Sequence, residues 1–381
     1  MNDKNGSVAK SQWLLPALLI VLACGAFVTM VICVGILLVL PTSKQEIRSS
    51  ISTSETWTIP TLVTISTPAI ENTMAPVVAP SCEDPECLNA CLRQIPDFEN
   101  EPLLREDERD LSEKQGGYDL VRYRLDEEDK TLKRIAIPTV PDYLIPYQED
   151  EQLHRRIWDY FTGIFPNDSD VHVSYLVVIM DGTDDGYSAA IWSSQGKWRL
   201  YVNLLEFDSS RDVIEILTHE YGHMLTLNNS QARDIPSEYG LEMEQTDFES
   251  MRSKCEGYFF TGSDCALADS YLNEFGNRFW IGELFKSWTD AYLLWDKEEG
   301  LYETAMDEFY RQYRDQFVTE YASTTPLEDI AESWTEFVMR PKPTGSTIAD
   351  QKILFFYEYP ELVDIRREII QGVCQYAAEQ K

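Results

Sequence analysis

Residues 219–223 read His-Glu-Tyr-Gly-His, an H-E-x-x-H pattern. On an α-helix, residues four apart share one face, so His219 and His223 can direct two imidazole nitrogens at one metal ion. Glu220 projects from the adjoining part of the turn, beside an open coordination position rather than in it. That arrangement is what a zinc hydrolase requires, in which the metal acidifies water and a carboxylate takes the proton. Only four histidines occur in 381 residues, and two of them are here. The bland alternative is a pair of surface histidines with a solvated Glu220. Against it stands the helical setting: Ser209 or Ser210 suits the N-cap and Asp212 the first turn. Ile214, Ile216, Leu217, Tyr221, Met224 and Leu225 supply buried faces, and Asn228-Asn229 ends the helix.

A catalytic zinc takes a third protein ligand and keeps a fourth position open. Residues 224–229 read Met-Leu-Thr-Leu-Asn-Asn, so the third histidine of a metzincin is missing. The remaining ligand is then a carboxylate on another element, and the candidate stretch is Glu320 to Glu332. There Thr325 fits a helix N-cap, Pro326 fits the first helical position, and Glu328 and Glu332 fall one turn apart on one face. One carboxylate can bind metal while the other orients an imidazole. Two readings stay open. Glu328 also fits a capping box with Thr325, which would leave Glu332 as ligand and Glu336 one turn behind it. His154 and His172 have no partner at ligand spacing and are read as lying outside the site.

The two motifs together resemble those of the gluzincin metallopeptidases, most of all the catalytic domain of anthrax lethal factor and its relatives. That family carries a similar His-Glu-x-x-His helix, then a Tyr seven residues before a zinc-binding Glu, with a second Glu four residues later. Tyr321, Glu328 and Glu332 repeat that spacing. The resemblance implies one Zn²⁺ per chain held by His219, His223 and Glu328. It further implies Glu220 as general base, Tyr321 as donor to the tetrahedral oxyanion, and Glu332 as partner of a ligating histidine. It covers two short motifs, and 105 residues separate His223 from Glu328.

The elements that must position these residues follow from the rest of the chain. Val171 to Met180 reads as a buried strand, and Ala189 to Ser193 and Trp198 to Leu205 as two more, before the motif helix. One of the alternating strands upstream, the one ending near Leu205 first among them, is the expected partner of an extended substrate. Asp181 to Gly186 lacks the spacing of an EF-hand and reads as an acidic turn. Tyr271, Phe275 and Phe279 recur every four residues, and Leu284, Trp288, Tyr292 and Trp295 form a second series. Such stripes read as core. The expected fold is an α+β zincin-like catalytic domain, with a small sheet, the motif helix and a helical C-terminal part, behind a single transmembrane helix.

That last expectation rests on residues 11–43, which carry no charge; Trp13 to Leu40 is almost continuously apolar, enough for a ~30 Å hydrocarbon core. The expected organisation is a cytoplasmic tail (1–12), a transmembrane helix (13–40), a Ser/Thr/Pro-rich stalk (41–80), a Cys-containing acidic lead-in (81–150) and the metallopeptidase domain (151–381). The expected location is a single-pass membrane protein, anchored in the lipid bilayer, with its N-terminus cytoplasmic and its catalytic domain extracellular or extracytoplasmic. Cys82, Cys87, Cys91, Cys255, Cys265 and Cys374 are then available for disulfides, with Cys255 and Cys265 as the evident pair. A formal charge of -33 argues against nucleic acid as a partner. The expected function is a zinc-dependent metallopeptidase acting on a peptide or protein substrate; the alternative is a non-catalytic binding or sensor protein on a zincin scaffold.

Overall fold

The computed structural model describes residues 85–96, 117–126, 131–166, 171–182, 188–194, 197–206, 209–234 and 245–380, apart from residues 256, 263, 296, 298 and 299. Two compact units divide the chain at residues 74 and 75, and all described residues belong to the second. The tail, the stalk and most of the acidic clusters around Glu106 lie outside the described residues.

The chain is α+β. Helix α1 (Pro85–Leu92) is followed by strands β1 (Tyr118–Leu125) and β2 (Leu132–Ala136), then α2 (Ile145–Glu149) and α3 (Glu151–Ile164). Strands β3 (Val173–Met180), β4 (Ala189–Ser194) and β5 (Lys197–Asn203) lead through a short 3-10 turn into α4 (Ser210–Leu227), the motif helix. Beyond it come β6 (Ala232–Asp234), α5 (Gln245–Ser253), β7 (Asp264–Ala266), α6 (Tyr271–Phe279), α7 (Gly282–Tyr292) and α8 (Leu301–Tyr313). Helices α9 (Pro326–Met339), α10 (Ile348–Phe356) and α11 (Pro360–Glu379) complete the fold.

The five-stranded sheet has the order β2-β1-β3-β5-β4. Only the β3–β5 pair is parallel; β4 turns back antiparallel to β5 as the edge strand. Strand β3 is buried along nearly its whole length, as a central strand covered on both faces should be. In β5, Trp198, Leu200 and Val202 alternate inward. The segment read from sequence as a lead-in contributes β1 and β2 to this same sheet, and β1 lies directly against β3. Its acidic flanks hide that membership, because charge runs report solvent exposure and say nothing of strand pairing.

The single transmembrane helix is corrected. Among the described residues no helix is long and apolar enough to cross a membrane. The longest, α11, has 20 residues but carries Glu361, Asp364, Arg366, Arg367, Glu368 and Glu379, which makes it a helix with one buried face rather than a lipid-facing one. Residues 13–40 lie outside the described residues. The single-pass location inferred from that span, with a cytoplasmic N-terminus and an outward catalytic domain, is corrected with it.

Candidate metal centre

Helix α4 begins where Ser209 accepts the backbone N–H of Asp212, and it is buried from Val213 to Thr226 with few breaks. Burial on nearly all sides follows from its place between the sheet and α9, which packs along it. At their crossing, a Cβ added to Gly222 would meet Trp334 at 2.8 Å, so the glycine inside the motif is what lets α9 approach so closely. Tyr221 stacks between Phe165 and Trp334, with ring centroids 5.4 and 6.5 Å away. Together these contacts fix the rotation of α4 that turns both histidines to one side.

Helix α9 starts at Thr325, whose hydroxyl accepts the Glu328 backbone N–H at 3.1 Å, with Pro326 next. The Glu328 carboxylate turns toward α4. Its Oε2 lies 3.0 Å from His219 Nε2 and 3.2 Å from His223 Nε2. These three donor atoms all fall within 4.8 Å of one another. One turn on, Glu332 Oε1 is 2.7 Å from His219 Nδ1, and the Thr319 hydroxyl donates to Glu332 Oε2 at 2.6 Å. Glu336 faces Arg340 instead, at 3.2 Å. His154 is buried elsewhere, its Nδ1 2.9 Å from the Tyr123 hydroxyl, and His172 lines a separate pocket with Trp158.

The residues present fit a zinc ion. With bonds of about 2.0–2.1 Å, tetrahedral donors stand roughly 3.3 Å apart, and the two Glu328 distances are close to that. The Glu332 contact occupies Nδ1 of His219 and so leaves Nε2 free to face the donor group, as an orienting carboxylate does in zinc sites. His223 Nδ1 is buried with no hydrogen-bond partner among the described residues, and that ring engages Glu328 through Nε2.

Electrostatics in the protein alone match this close approach. Burial opposes a charged His219, but hydrogen bonds to Glu328 and Glu332 outweigh it and raise its pKa to about 10. Burial likewise opposes the charge on Glu328 and Glu332, and the imidazole hydrogen bonds lower both below the usual carboxylate range. Glu220 is buried beside them. Desolvation raises its pKa, while His223, His219 and the Ile191 backbone N–H from β4 act the other way. Tyr321, on the 3-10 turn before α9, is 54% exposed, and its ring centroid stands 5.8 Å from that of His219. Desolvation first, and then the negative charges of Glu328 and Glu220, hold its hydroxyl in the protonated form.

All six residues singled out from sequence therefore gather at one place: His219, Glu220, His223, Tyr321, Glu328 and Glu332. Sequence reasoning missed Thr319 and the Ile191 backbone, because a hydroxyl or an amide at such a spacing carries no signal of its own. Comparison with protein-family models, curated proteins and solved structures finds no match.

Proposed function

We propose that the chain is a zinc-dependent peptidase of the gluzincin kind. The observation that carries this reading is the convergence of His219 Nε2, His223 Nε2 and Glu328 Oε2 from two helices, with a buried Glu220 carboxylate alongside. A zinc ion held there would polarise the scissile carbonyl and acidify water. The chain's own groups supply the rest. Glu220, whose charged form the nearby Ile191 N–H favours, accepts the proton of the attacking water and returns it to the nitrogen as the C–N bond breaks. Tyr321, protonated and open to the cleft, donates to the oxygen on which negative charge develops. Glu332, itself held by Thr319, keeps the His219 ring in orientation.

Substrate alignment falls to β4. The expectation that the strand ending near Leu205 would pair with substrate is corrected: β5 is hydrogen-bonded to β3 on one side and β4 on the other. Strand β4 is the sheet's last strand, next to α4, and its outer side presents backbone groups to an extended chain.

The test uses the full chain loaded with zinc. Wild type should bind one zinc and hydrolyse peptides. Glu220→Gln should keep the metal and lose roughly 10²–10⁴-fold in turnover, since the base is not a ligand. Loss of zinc in that variant, or undiminished turnover, overturns the assignment. Zinc binding without hydrolysis of any peptide favours the binding-protein alternative.

A further inference from the structure

Beside the donor group lies a pocket that the chemistry above leaves unused. It encloses about 460 Å³, within the roughly 300–1,000 Å³ usual for ligand sites. Tyr292, Leu293, Trp295 and Tyr302 form its walls, and Tyr321 and Glu328 belong to its lining as well. Tyr292 closes α7, Leu293 and Trp295 follow in the turn, and Tyr302 lies in the first turn of α8. All four come from the stretch between the two motifs, after His223 and before Tyr321.

The walls are firm. Tyr292 stacks on the fully buried Trp288 with centroids 4.8 Å apart, and Trp295 meets Tyr302 edge-on at 4.8 Å. Yet Trp295 is 50% exposed. An indole half open to water inside an aromatic concavity gains about 25 cal/mol for each Å² of apolar surface that an occupant covers, with a further contribution from ring–ring geometry.

We propose that this pocket receives one large apolar side chain of the peptide substrate, an aromatic one above all, from a residue adjoining the scissile bond. This assignment rests on the peptidase reading. Adjacency follows because Tyr321 and Glu328 belong both to the pocket and to the reacting centre. The competing occupant is a cation, since aromatic faces attract Lys and Arg. Among the described lining residues, however, Glu328 is the one charged group, and its Oε2 is already engaged by both imidazoles. A lysine here would shed its water and, among the described lining residues, would meet no carboxylate but the one the imidazoles already share. An apolar ring loses nothing by entering.

The experiment takes the zinc-loaded full chain and peptides identical except beside one bond, where Phe, Leu, Ala, Lys or Glu is placed in turn. The Phe peptide should exceed both the Ala and the Lys peptide in kcat/KM by about tenfold or more. Trp295→Ala should collapse the Phe-to-Ala ratio, mainly through KM, and Trp295→Phe should restore most of it. Zinc content and the unfolding midpoint check that the variants are folded. Tyr302→Ser, on the opposite edge of the same ring pair, should lower the ratio in the same direction. Hydrolysis without preference, a preference for Lys, or a preference that both variants leave unchanged overturns the pocket assignment alone. No zinc-dependent hydrolysis of any peptide overturns the peptidase reading, and the assignment with it.

Discussion

At the scale of single residues, the choice between Glu328 and Glu332 carries the most chemistry. Thr325 caps α9 through the Glu328 backbone N–H, which leaves the Glu328 side chain free to reach both Nε2 atoms. Glu332 reaches only the far nitrogen of His219. Removing each should therefore have consequences of different size. Glu328→Ala should strip zinc or weaken it severely, while Glu332→Ala should cost about 10–100-fold in affinity, as loss of an orienting partner does. Zinc titration on the two folded variants measures this directly. Full affinity in the first and none in the second would exchange their roles.

At the scale of elements, the site depends on α9 holding its place against α4. Phe275, Phe279, Phe355 and Phe356 pack beneath Trp334 and Phe337, giving α9 an aromatic floor. A buried polar contact adds direction to it. Asp329 Oδ2 accepts the Trp280 indole N–H at 2.7 Å and lies 2.6 Å from Lys352 Nζ, with Asp329 and Lys352 both shut off from solvent. Breaking such a pair strands a charge in the core. Lys352→Met should destabilise the fold by about 3–5 kcal/mol. The double variant Asp329→Asn with Lys352→Met should lose clearly less, and urea unfolding would show the recovery. Equal losses in both would mean that the lysine acts through its packing alone. The caps of α4 and α9 are legible in the chain because a cap needs only a hydroxyl and the next few residues. The stripe through Trp295 misleads for the same local reason: its spacing fits a helix face, but α7 ends at Tyr292 and the indole faces the pocket.

At the scale of the molecule, Cys91 pairs with Cys374 across 283 residues, joining α1 to α11. Cys87, whose sulfur lies near those of Cys91 and Cys374, is disulfide-bonded as well. Cys255 and Cys265 close a second, short loop. In the chain-entropy account, a loop as long as the first stabilises the fold by up to about 5 kcal/mol. Replacing Cys91 and Cys374 together by Ser should lower the denaturant midpoint markedly, and far more than replacing Cys255 and Cys265. Midpoints that fall alike would place the effect in native packing rather than in chain closure.

The amino-acid sequence by itself determines that His219 and His223 share a face, that Glu220 stands beside them, and where α4 and α9 begin. Each of these depends on the 3.6-residue turn and on hydrogen bonds between near neighbours. Spacing also brings Glu328 and Glu332 forward together as candidates, without saying which of them meets Nε2. That is decided by the rotation of α9 on α4, which Gly222, Trp334 and the aromatic floor set jointly. Pairing in the sheet is likewise a tertiary outcome. Strand β5 alternates as cleanly as an edge strand would, but β4 folds back over its outer side and becomes the edge. Periodicity records which face of an element is buried; its neighbour is chosen by the burial and hydrogen bonding of the whole chain.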